Sequence, residues 1–409
     1  MSKRGYGRKV IRSKNLYKKK KSKFKVIAEF SVMAAVVAAL VFVGYTIADT
    51  VFNYEGGGGT EDVSDYNPPP EPSESESDSE SSEQSAEPTD SAGSEPKPKP
   101  SEPIGKTIYA RANILASFAS LSTFIEEAKS EGYEAVVVEM KDEEGKLLYK
   151  SNIPDIADDE DIVAGNLTAK QIAEGFSNAG IKPIARISTL KDKIAPEKIK
   201  DVSYRFADES YAWLDDRWEN GGKPWANPFL SGTKAYISKI TAELYEAGFV
   251  DIIFANVVFP NFRAYDLTIL PSKVTNEKTR YSALADLINE VSKKSPDADV
   301  ILEISVGDVI NGGGLTGTAE ILRAKNSLSA RRAILIFNRA VSETAATGGD
   351  VSTPEELSEL VKSVFDKVAR QTGELEIIPC ADVSGLSESD IEKVVSAFSQ
   401  MGYDNYIIR

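Results

Sequence analysis

The carboxylates that could do chemistry lie inside or at the end of apolar runs. Glu139 stands in "YEAVVVEMK", Glu303 in "DVILEISV", and Asp382 closes "LEIIPCAD". Each run has the length and the β-branched content of a buried strand. The chain has no histidine and one cysteine, which excludes a Ser-His-Asp triad, a Cys-His pair and a histidine-ligated zinc site. Any general acid or base must therefore be Asp, Glu, Lys, Tyr or Cys380.

An acid in an apolar strand is costly unless it is paired or functional. Side chains alternate along a strand, so Val137, Glu139 and Lys141 share one face. A buried ion pair of Glu139 with Lys141 or Arg186 is one interpretation, and a catalytic role for Glu139 together with Glu303 is the other. The sequence leaves both open because it does not give the distance between these side chains.

Metal and thiol chemistry have weaker signals. The stretch "MKDEEGK" clusters oxygen ligands that calcium prefers, but its spacing is not that of an EF-hand, and a solvated turn fits it better. Cys380 has no histidine to activate it, so a small buried hydrophobe is expected. We therefore predict no metal and no cofactor.

Short apolar runs alternate with helical patterns from residue 106 onward, and the predicted domain is 106–409. Eight strands and the intervening helices are the count of a (β/α)8 TIM-like barrel. An open doubly wound sheet is the alternative, but "YARANILAS" after the first strand lacks the glycine-rich phosphate loop of that fold. The eight predicted strands are Thr107–Ala112, Tyr133–Lys141, Lys182–Ser188, Asp251–Pro260, Asp299–Val306, Ala333–Asn338, Leu375–Asp382 and Asn405–Arg409.

Three segments precede this domain. Residues 1–25 form a basic tail with twelve Lys or Arg and no acid, and residues 26–48 contain nineteen consecutive uncharged positions. That length predicts a single transmembrane helix, and the positive tail predicts a cytoplasmic N-terminus with the barrel outside the cell. Residues 49–105 are acidic and rich in Pro, Ser and Glu, which predicts a disordered linker. The net charge of −15 argues against nucleic acid as a partner.

Four phrases carry a resemblance to a known family. They are "GYEAVVVEMKDEEGKLLY", "IKPIARISTLKD", "WANPFLSGTKAYISKITAELYEAGFVDIIFANVVFP" and "EISVGDV", in that order. Together they resemble a bacterial glycosyl hydrolase domain family, TIM barrels of otherwise unknown function, and this chain looks like a divergent member. The resemblance implies a carbohydrate partner, either a polysaccharide or a cell-wall glycan.

The resemblance also suggests which residues form the site. Glycosidases use two carboxylates, and barrels place them at the C-terminal ends of strands, so Glu139 and Glu303 are the catalytic candidates. Residues that match the family pattern are the substrate-binding candidates, and Asp382 is added because it ends the seventh predicted strand. The candidates are Lys141, Asp142, Arg186, Asp192, Trp225, Asn227 and Asp382. Six aromatics in the insertion after the third strand could form a carbohydrate platform or simply pack it; these are Tyr204, Phe206, Tyr211, Trp213, Trp218 and Trp225.

The fourth strand departs from the pattern. Where the family has an Asp, a Tyr and an Arg, this chain has Ala255, Asn256 and Val258. Two hypotheses follow. The first is a membrane-anchored extracellular glycoside hydrolase-like enzyme, catalytically intact or impaired. The second is a pseudoenzyme, a barrel that binds a carbohydrate or another partner without cleaving it. The sequence does not reveal the sugar or the oligomeric state.

Overall fold

The structure is a computed structural model that describes residues 102–208, 211–310, 315–340 and 353–409. All of these lie in one compact unit, Ser94–Arg409. The predicted tail, the predicted membrane span and the predicted linker as far as residue 101 lie outside the described residues. Within the described ranges, no helix has both the length and the apolar character that crossing a bilayer requires.

Eight parallel strands close into a barrel, and each strand pairs with its neighbours in chain order. This confirms the predicted barrel of alternating strands and helices. The strands are β1 (Lys106–Tyr109), β2 (Ala135–Lys141), β3 (Lys182–Ser188), β4 (Asp251–Ala255), β5 (Asp299–Ser305), β6 (Arg332–Asn338), β7 (Glu376–Asp382) and β8 (Tyr406–Ile408).

Six longer helices in the described ranges pack between the strands, and five of them begin after a capping side chain. The hydroxyl of Thr168 accepts a hydrogen bond from the backbone N–H of Gln171, and the Gln171 side chain accepts one from the backbone N–H of Thr168. This reciprocal pair of bonds is a capping box. Asn276 caps the fourth of these helices in the same general way. The six helices are α1 (Phe118–Ser130), α2 (Ala169–Asn178), α3 (Ser231–Glu246), α4 (Glu277–Lys294), α5 (Pro354–Thr372) and α6 (Glu388–Gln400).

Among the described residues, seven shorter turns of helix lie in the connections. Four are short α-helical segments, namely Ala195–Lys198, Asp266–Ile269, Ser272–Thr275 and Val306–Ile310. Three are 3-10 helices, namely Ala112–Ala116, Trp218–Asn220 and Gly317–Ser327. The connection from β5 to β6 is built from such short pieces.

Two apolar cores hold the barrel together. The larger core lies between the strands and the helices, and the smaller core fills the barrel interior. The interior core is dominated by isoleucines contributed by six of the strands, as bulky branched residues fill TIM barrels. They are Ile184, Ile253, Ile301, Ile334, Ile378 and Ile407. This layer separates the polar side chains at the two ends of the barrel.

The fourth strand is shorter than predicted. It ends at Ala255 and not at Pro260. Asn256 has a φ of 54°, in the left-handed region that breaks an extended strand and that Asn tolerates better than most residues. Val257 and Phe259 are still buried, because the chain beyond the strand continues to pack against the core. The apolar pattern therefore predicted burial correctly and predicted the strand end wrongly.

Candidate functional site

The C-terminal ends of β2, β3 and β5 bring three charged side chains into the barrel mouth. Glu139 and Arg186 are register partners on adjacent strands. Glu303 follows the isoleucine layer on β5, where Asp299, Ile301 and Glu303 alternate onto the same face. Parallel strands present their C-terminal ends at one edge, which is where TIM-barrel enzymes build their active sites.

Arg186 is the centre of this mouth cluster. Its Nε donates to Glu303 Oε2 at 2.8 Å and its Nη2 donates to Glu303 Oε1 at 2.7 Å. Its Nη1 donates to Glu139 Oε1 at 2.7 Å. A guanidinium holds carboxylates in fixed, two-pronged geometry. One arginine therefore fixes both predicted catalytic carboxylates.

Two further side chains complete the mouth cluster, and sequence reasoning missed both. The hydroxyl of Tyr109 on β1 donates to Glu303 Oε2 at 2.7 Å. Arg409 lies 3.7 Å from Glu303 Oε1 and its guanidinium stands 5.2 Å from the centre of the Tyr109 ring. The alternation of β1 places Tyr109 in the barrel, but only closure of the barrel brings it to Glu303.

The two carboxyl groups respond in opposite ways to this environment. Burial alone would raise the pKa of Glu303, but the hydrogen bonds and charge of Arg186 outweigh it and hold that pKa below its ordinary value. Burial raises the pKa of Glu139, and Arg186 only partly opposes it. Despite its burial, Arg186 has a raised pKa because of its bonds to Glu303. Glu303 is therefore ionised, while Glu139 holds a proton to higher pH than an ordinary glutamate.

Exposure separates the two carboxylates further. The side chain of Glu139 is 33% exposed and that of Glu303 is 8% exposed. Because both bind the same guanidinium, their facing oxygens lie within about 8 Å of each other, which does not exceed the separation that glycosidases use. Both Glu303 oxygens, however, already accept hydrogen bonds from protein side chains. Glu139 is the member of the pair that a ligand can reach.

Lys141 and Asp192 lie outside this cluster and bind each other. The Lys141 ammonium is 2.8 Å from Asp192 Oδ2 with both side chains fully buried, and it also donates to the Ser188 carbonyl at 2.7 Å. Asp192 Oδ1 accepts the backbone N–H groups of Ile194 and Ala195. The pair ties β2 to the loop after β3 from inside the protein.

Asp142 shapes the turn after β2. Its Oδ1 accepts three backbone N–H groups, from Glu144, Gly145 and Lys146. Gly145 has a φ of 104°, and a Cβ there would stand 2.2 Å from Asp192 Oδ1. The turn therefore requires glycine at position 145. The Asp142 Oδ1 atom stabilises the turn by accepting its backbone N–H groups.

This turn carries Glu143, which sequence reasoning missed. Glu143 pairs with Lys191 from the loop after β3. Asn256, directly after β4, donates from Nδ2 to Glu143 Oε1 at 3.3 Å and to Ser188 Oγ at 3.1 Å. Burial opposes the charge of Glu143, but Lys191 and Asn256 lower its pKa overall. The run "KDEEGK" gave no signal beyond a solvated turn, because the partners come from other strands.

The remaining predicted binding residues have hydrogen-bond partners of their own. The indole N–H of Trp225 donates to Asp215 Oδ2 at 3.1 Å. Asn227 is buried and accepts the backbone N–H of Phe229 at 3.1 Å. Asp382, at the end of β7, accepts from the Asn338 amide at 3.0 Å and from the backbone of Ser384. Of the three, Asp382 stands at the C-terminal end of a strand.

The structure divides the predicted aromatic platform in two. Tyr204 and Trp213 are fully buried and pack edge to face, with ring centres 6.1 Å apart. Trp218 and Tyr211 are largely exposed, and so is Tyr265, which follows β4. The buried rings form the support of the insertion, and the exposed rings remain available to a ligand.

The described part of the chain also shows how its possible metal ligands and its cysteine are placed. No cluster of three or more His, Cys, Asp or Glu side chains there is placed to hold a metal ion. Cys380 is fully buried in the barrel interior, and burial raises its pKa strongly. Its thiol is therefore protonated and inert at neutral pH.

Comparison with known proteins places the barrel in a family. The family described as "Putative glycosyl hydrolase domain" matches residues 107–312, half of the chain. A search of curated proteins found no match. Among solved structures, a hypothetical protein from Ruminiclostridium thermocellum ATCC 27405 is 20% identical, covers 48% of this chain and 96% of its own, and has a TM-score of 0.41.

Two similar structures are named as enzymes. The catalytic domain of the beta-amylase from Paenibacillus polymyxa is 12% identical over 74% of this chain and 91% of its own, with a TM-score of 0.46. The alpha-galactosidase from Thermus thermophilus is 8% identical over 76% of this chain and 58% of its own, also with a TM-score of 0.46. The family match includes Glu139, Arg186 and Glu303. The chain thus belongs to the "Putative glycosyl hydrolase domain" family.

Proposed function

We propose that this chain is a membrane-anchored, extracellular glycoside hydrolase-like protein whose barrel acts on a cell-surface or wall polysaccharide. The observation that carries the proposal is Glu139, a reachable carboxyl group held by Arg186 at the C-terminal mouth of a barrel of this family. A general acid must hold its proton near the working pH and meet the leaving oxygen. The raised pKa and exposure of Glu139 support that role.

Arg186 supplies the geometry. It binds Glu303 through two N–H groups and leaves its Nη1 for Glu139. Glu303 keeps the guanidinium in place and compensates its charge, so Arg186 can orient Glu139 without moving. In this proposal Glu139 meets the sugar, and Glu303 positions the group that orients it.

A second candidate function is a non-catalytic barrel that binds a glycan. Its support is the state of Glu303, whose oxygens accept from Arg186 and Tyr109, and of Ala255, which ends β4 with only a methyl group. If Glu303 were needed as the second carboxylate, the site would bind a sugar without cleaving it. Both candidates place the carbohydrate at the same mouth.

The test uses the full chain purified in detergent. Starch, galactomannan, laminarin and peptidoglycan sacculi are incubated with the unaltered protein and with Glu139→Gln, and reducing ends and bound protein are measured. Release of reducing ends that Glu139→Gln abolishes supports the enzyme. Binding without release, weakened by Glu139→Gln, supports the second candidate. Neither binding nor release on any of the four materials contradicts both.

The anchored, extracellular part of the proposal rests on residues 1–105 of the sequence. The basic tail and the apolar run at 26–48 are the supporting features. The experiment expresses the full chain in bacteria, separates membranes from soluble protein, and treats intact spheroplasts with protease. We expect the protein in the membrane fraction and the barrel cut away from outside. A barrel protected until the cells are lysed contradicts the orientation.

A further inference from the structure

The turn after β2, at the C-terminal end of the strand, carries a further carboxylate, Glu143. Asp142 and Gly145 determine its shape, as described above, and Glu143 stands at its tip. The side chain of Glu143 is 41% exposed, more than that of Glu139 and far more than that of Glu303. Glu139 and Glu143 are therefore both carboxylates that a ligand can reach.

Residues that follow β3 and β4 bind Glu143, which itself follows β2. Lys191, after β3, pairs with Oε2, and Asn256, after β4, donates to Oε1. Asn256 also donates to the Ser188 hydroxyl, which in turn donates to the Lys191 carbonyl at 2.7 Å. Asn256 adopts a left-handed backbone, a conformation that costs free energy in a non-glycine residue. Such a conformation is kept where surrounding contacts determine it, and here the amide contacts do so.

Glu143 and Glu139 share one electrostatic environment. The negative charge of Glu143 contributes to the raised pKa of Glu139, and the charge of Arg186 contributes to the lowered pKa of Glu143. Their pKa values move in opposite directions. Paired carboxyl groups with divergent pKa values are the arrangement that separates a general acid from an ionised partner.

We propose that Glu143 is the second carboxylate of the mouth site, acting with Glu139 on a glycosidic bond, and that Asn256 is the positioning residue that aims it. The inference rests on the proposed hydrolytic function and names the pair that performs it. It replaces Glu303 in that role, because the Glu303 side chain is buried and that of Glu143 is partly exposed.

The hydrolytic step balances with water as the only co-substrate. Glu139 gives its proton to the glycosidic oxygen as the bond from that oxygen to the anomeric carbon breaks. A water molecule gives a proton to the Glu143 carboxylate, and its oxygen forms the new bond to the anomeric carbon. After the products leave, solvent returns the proton from Glu143 to Glu139. Lys191 and Asn256 keep Glu143 ionised before the step.

The matched control is the next residue along the chain. Glu144 lies on the same turn, is also acidic, and pairs with Lys193 at 2.7 Å in a more exposed position. The full chain is prepared as Glu143→Gln and as Glu144→Gln, and kcat is measured on whichever of the four polysaccharides the unaltered protein hydrolyses. We expect Glu143→Gln to lower kcat by about 100-fold or more while polysaccharide binding is kept. Glu144→Gln leaves both unchanged.

Two further variants separate a chemical role from a structural one. Glu143→Ala removes the carboxylate, and added azide or formate restores part of its rate if the missing group is a carboxylate at the reacting carbon. Asn256→Ala lowers kcat by about 10-fold and moves the acidic limb of the pH profile upward, because Glu143 loses a hydrogen bond that lowers its pKa. A purely structural asparagine would not move that limb.

Three sets of results would overturn the inference. A rate that falls in Glu139→Gln while Glu143→Gln behaves like Glu144→Gln overturns the inference and leaves the proposed function standing. A loss in Glu143→Gln that azide and formate do not restore in Glu143→Ala, with an unmoved pH profile in Asn256→Ala, also overturns it. An unaltered protein that binds but hydrolyses none of the four polysaccharides overturns both the inference and the hydrolytic function.

Discussion

The two ends of the barrel each bury an arginine between two carboxylates, and they differ in how those carboxylates are used. At the N-terminal end, Arg332 Nη2 lies 2.6 Å from Asp251 and 2.5 Å from Asp299. Lys182 adds a second cation, 2.6 Å from Asp251 Oδ2. Two cations and two anions balance there, and the isoleucine layer separates them from the mouth.

The mouth cluster also has two cations and two anions, but it pairs them less closely. Arg186 serves Glu303 and Glu139, and the next cation, Arg409, reaches Glu303 only at 3.7 Å. Glu139 bonds to Arg186 through one oxygen and keeps a partly exposed side chain. A buried arginine alone therefore does not indicate a functional site. The stronger indication is a carboxylate that is partly exposed and bonded through one oxygen, at the C-terminal end where barrels place function and not stability.

The largest expected difference concerns the free energy of unfolding. Arg186→Met leaves Glu303 buried with no strong cation and should cost about 3–5 kcal/mol. Arg332→Met should cost less, because Asp251 keeps Lys182 and Asp299 is partly exposed. Urea denaturation of both variants measures this. An equal or larger loss in Arg332→Met would mean that the two ends are balanced alike.

The next difference concerns function. Glu139→Gln and Asp299→Asn each neutralise the more exposed carboxylate of a buried arginine, so they are matched substitutions. Glu139→Gln should reduce polysaccharide turnover, or binding if no turnover exists, by about 100-fold. Asp299→Asn should leave both within about twofold, as expected for a change at the stability end of a barrel. Reducing-end release and pull-down on the polysaccharide supply the measurement.

Acid should weaken the mouth through Glu303. Its pKa is lower in the folded chain than in the unfolded one, so its contribution is fully present above the unfolded value of about 4.3 and is lost as the pH falls through the folded value. Glu303→Gln should therefore cost about 2 kcal/mol at pH 7 and progressively less at lower pH. Urea denaturation at pH 7, 5 and 3 tests this. A constant difference across the three pH values would contradict it.

The smallest effect should come from the exposed aromatics of the insertion after β3. Trp218 is 79% exposed, so Trp218→Ala should leave stability unchanged. Polysaccharide affinity should fall about fivefold, from the roughly 1 kcal/mol that an aromatic face contributes. Val250, exposed just before β4 at the other end, is the control, and Val250→Ala should not change affinity. Equal affinities for both variants and the unaltered protein would remove Trp218 from the binding surface.

Much of the fold could be predicted from local patterns. Apolar runs of strand length alternate with helical periodicity, and capping residues such as Thr168 stand where the helices begin. The end of β4 could not be predicted, because the left-handed conformation of Asn256 is kept by side-chain bonds to Glu143 and Ser188. A strand end decided by side-chain contacts from two other strands leaves no mark in the local pattern.

The sequence identified several residues of the candidate site, but it did not show which of them contact each other at the mouth. Alternation placed Glu139 and Lys141 on one face, but the register of β2 shifts between them, and only Glu139 joins Arg186 and Glu303. Lys141 and Asp192, equally well matched to the family pattern, bind each other in the interior. Trp225 and Asn227 bond to residues of their own segment. A residue's match to a family pattern carries no information about whether it serves the site or the scaffold.

The sequence by itself determined the alternation that closes the barrel and, through its lack of histidine, limited any general acid or base to Asp, Glu, Lys, Tyr or Cys380. The tertiary structure decided which carboxylates lie together at the mouth. Arg186 reaches Glu139 across 47 residues of sequence and Glu303 across 117, and both burial and pairing depend on such distant neighbours. The exposure of a carboxylate and its pKa are properties of that assembled environment, so they exist only once the barrel has closed.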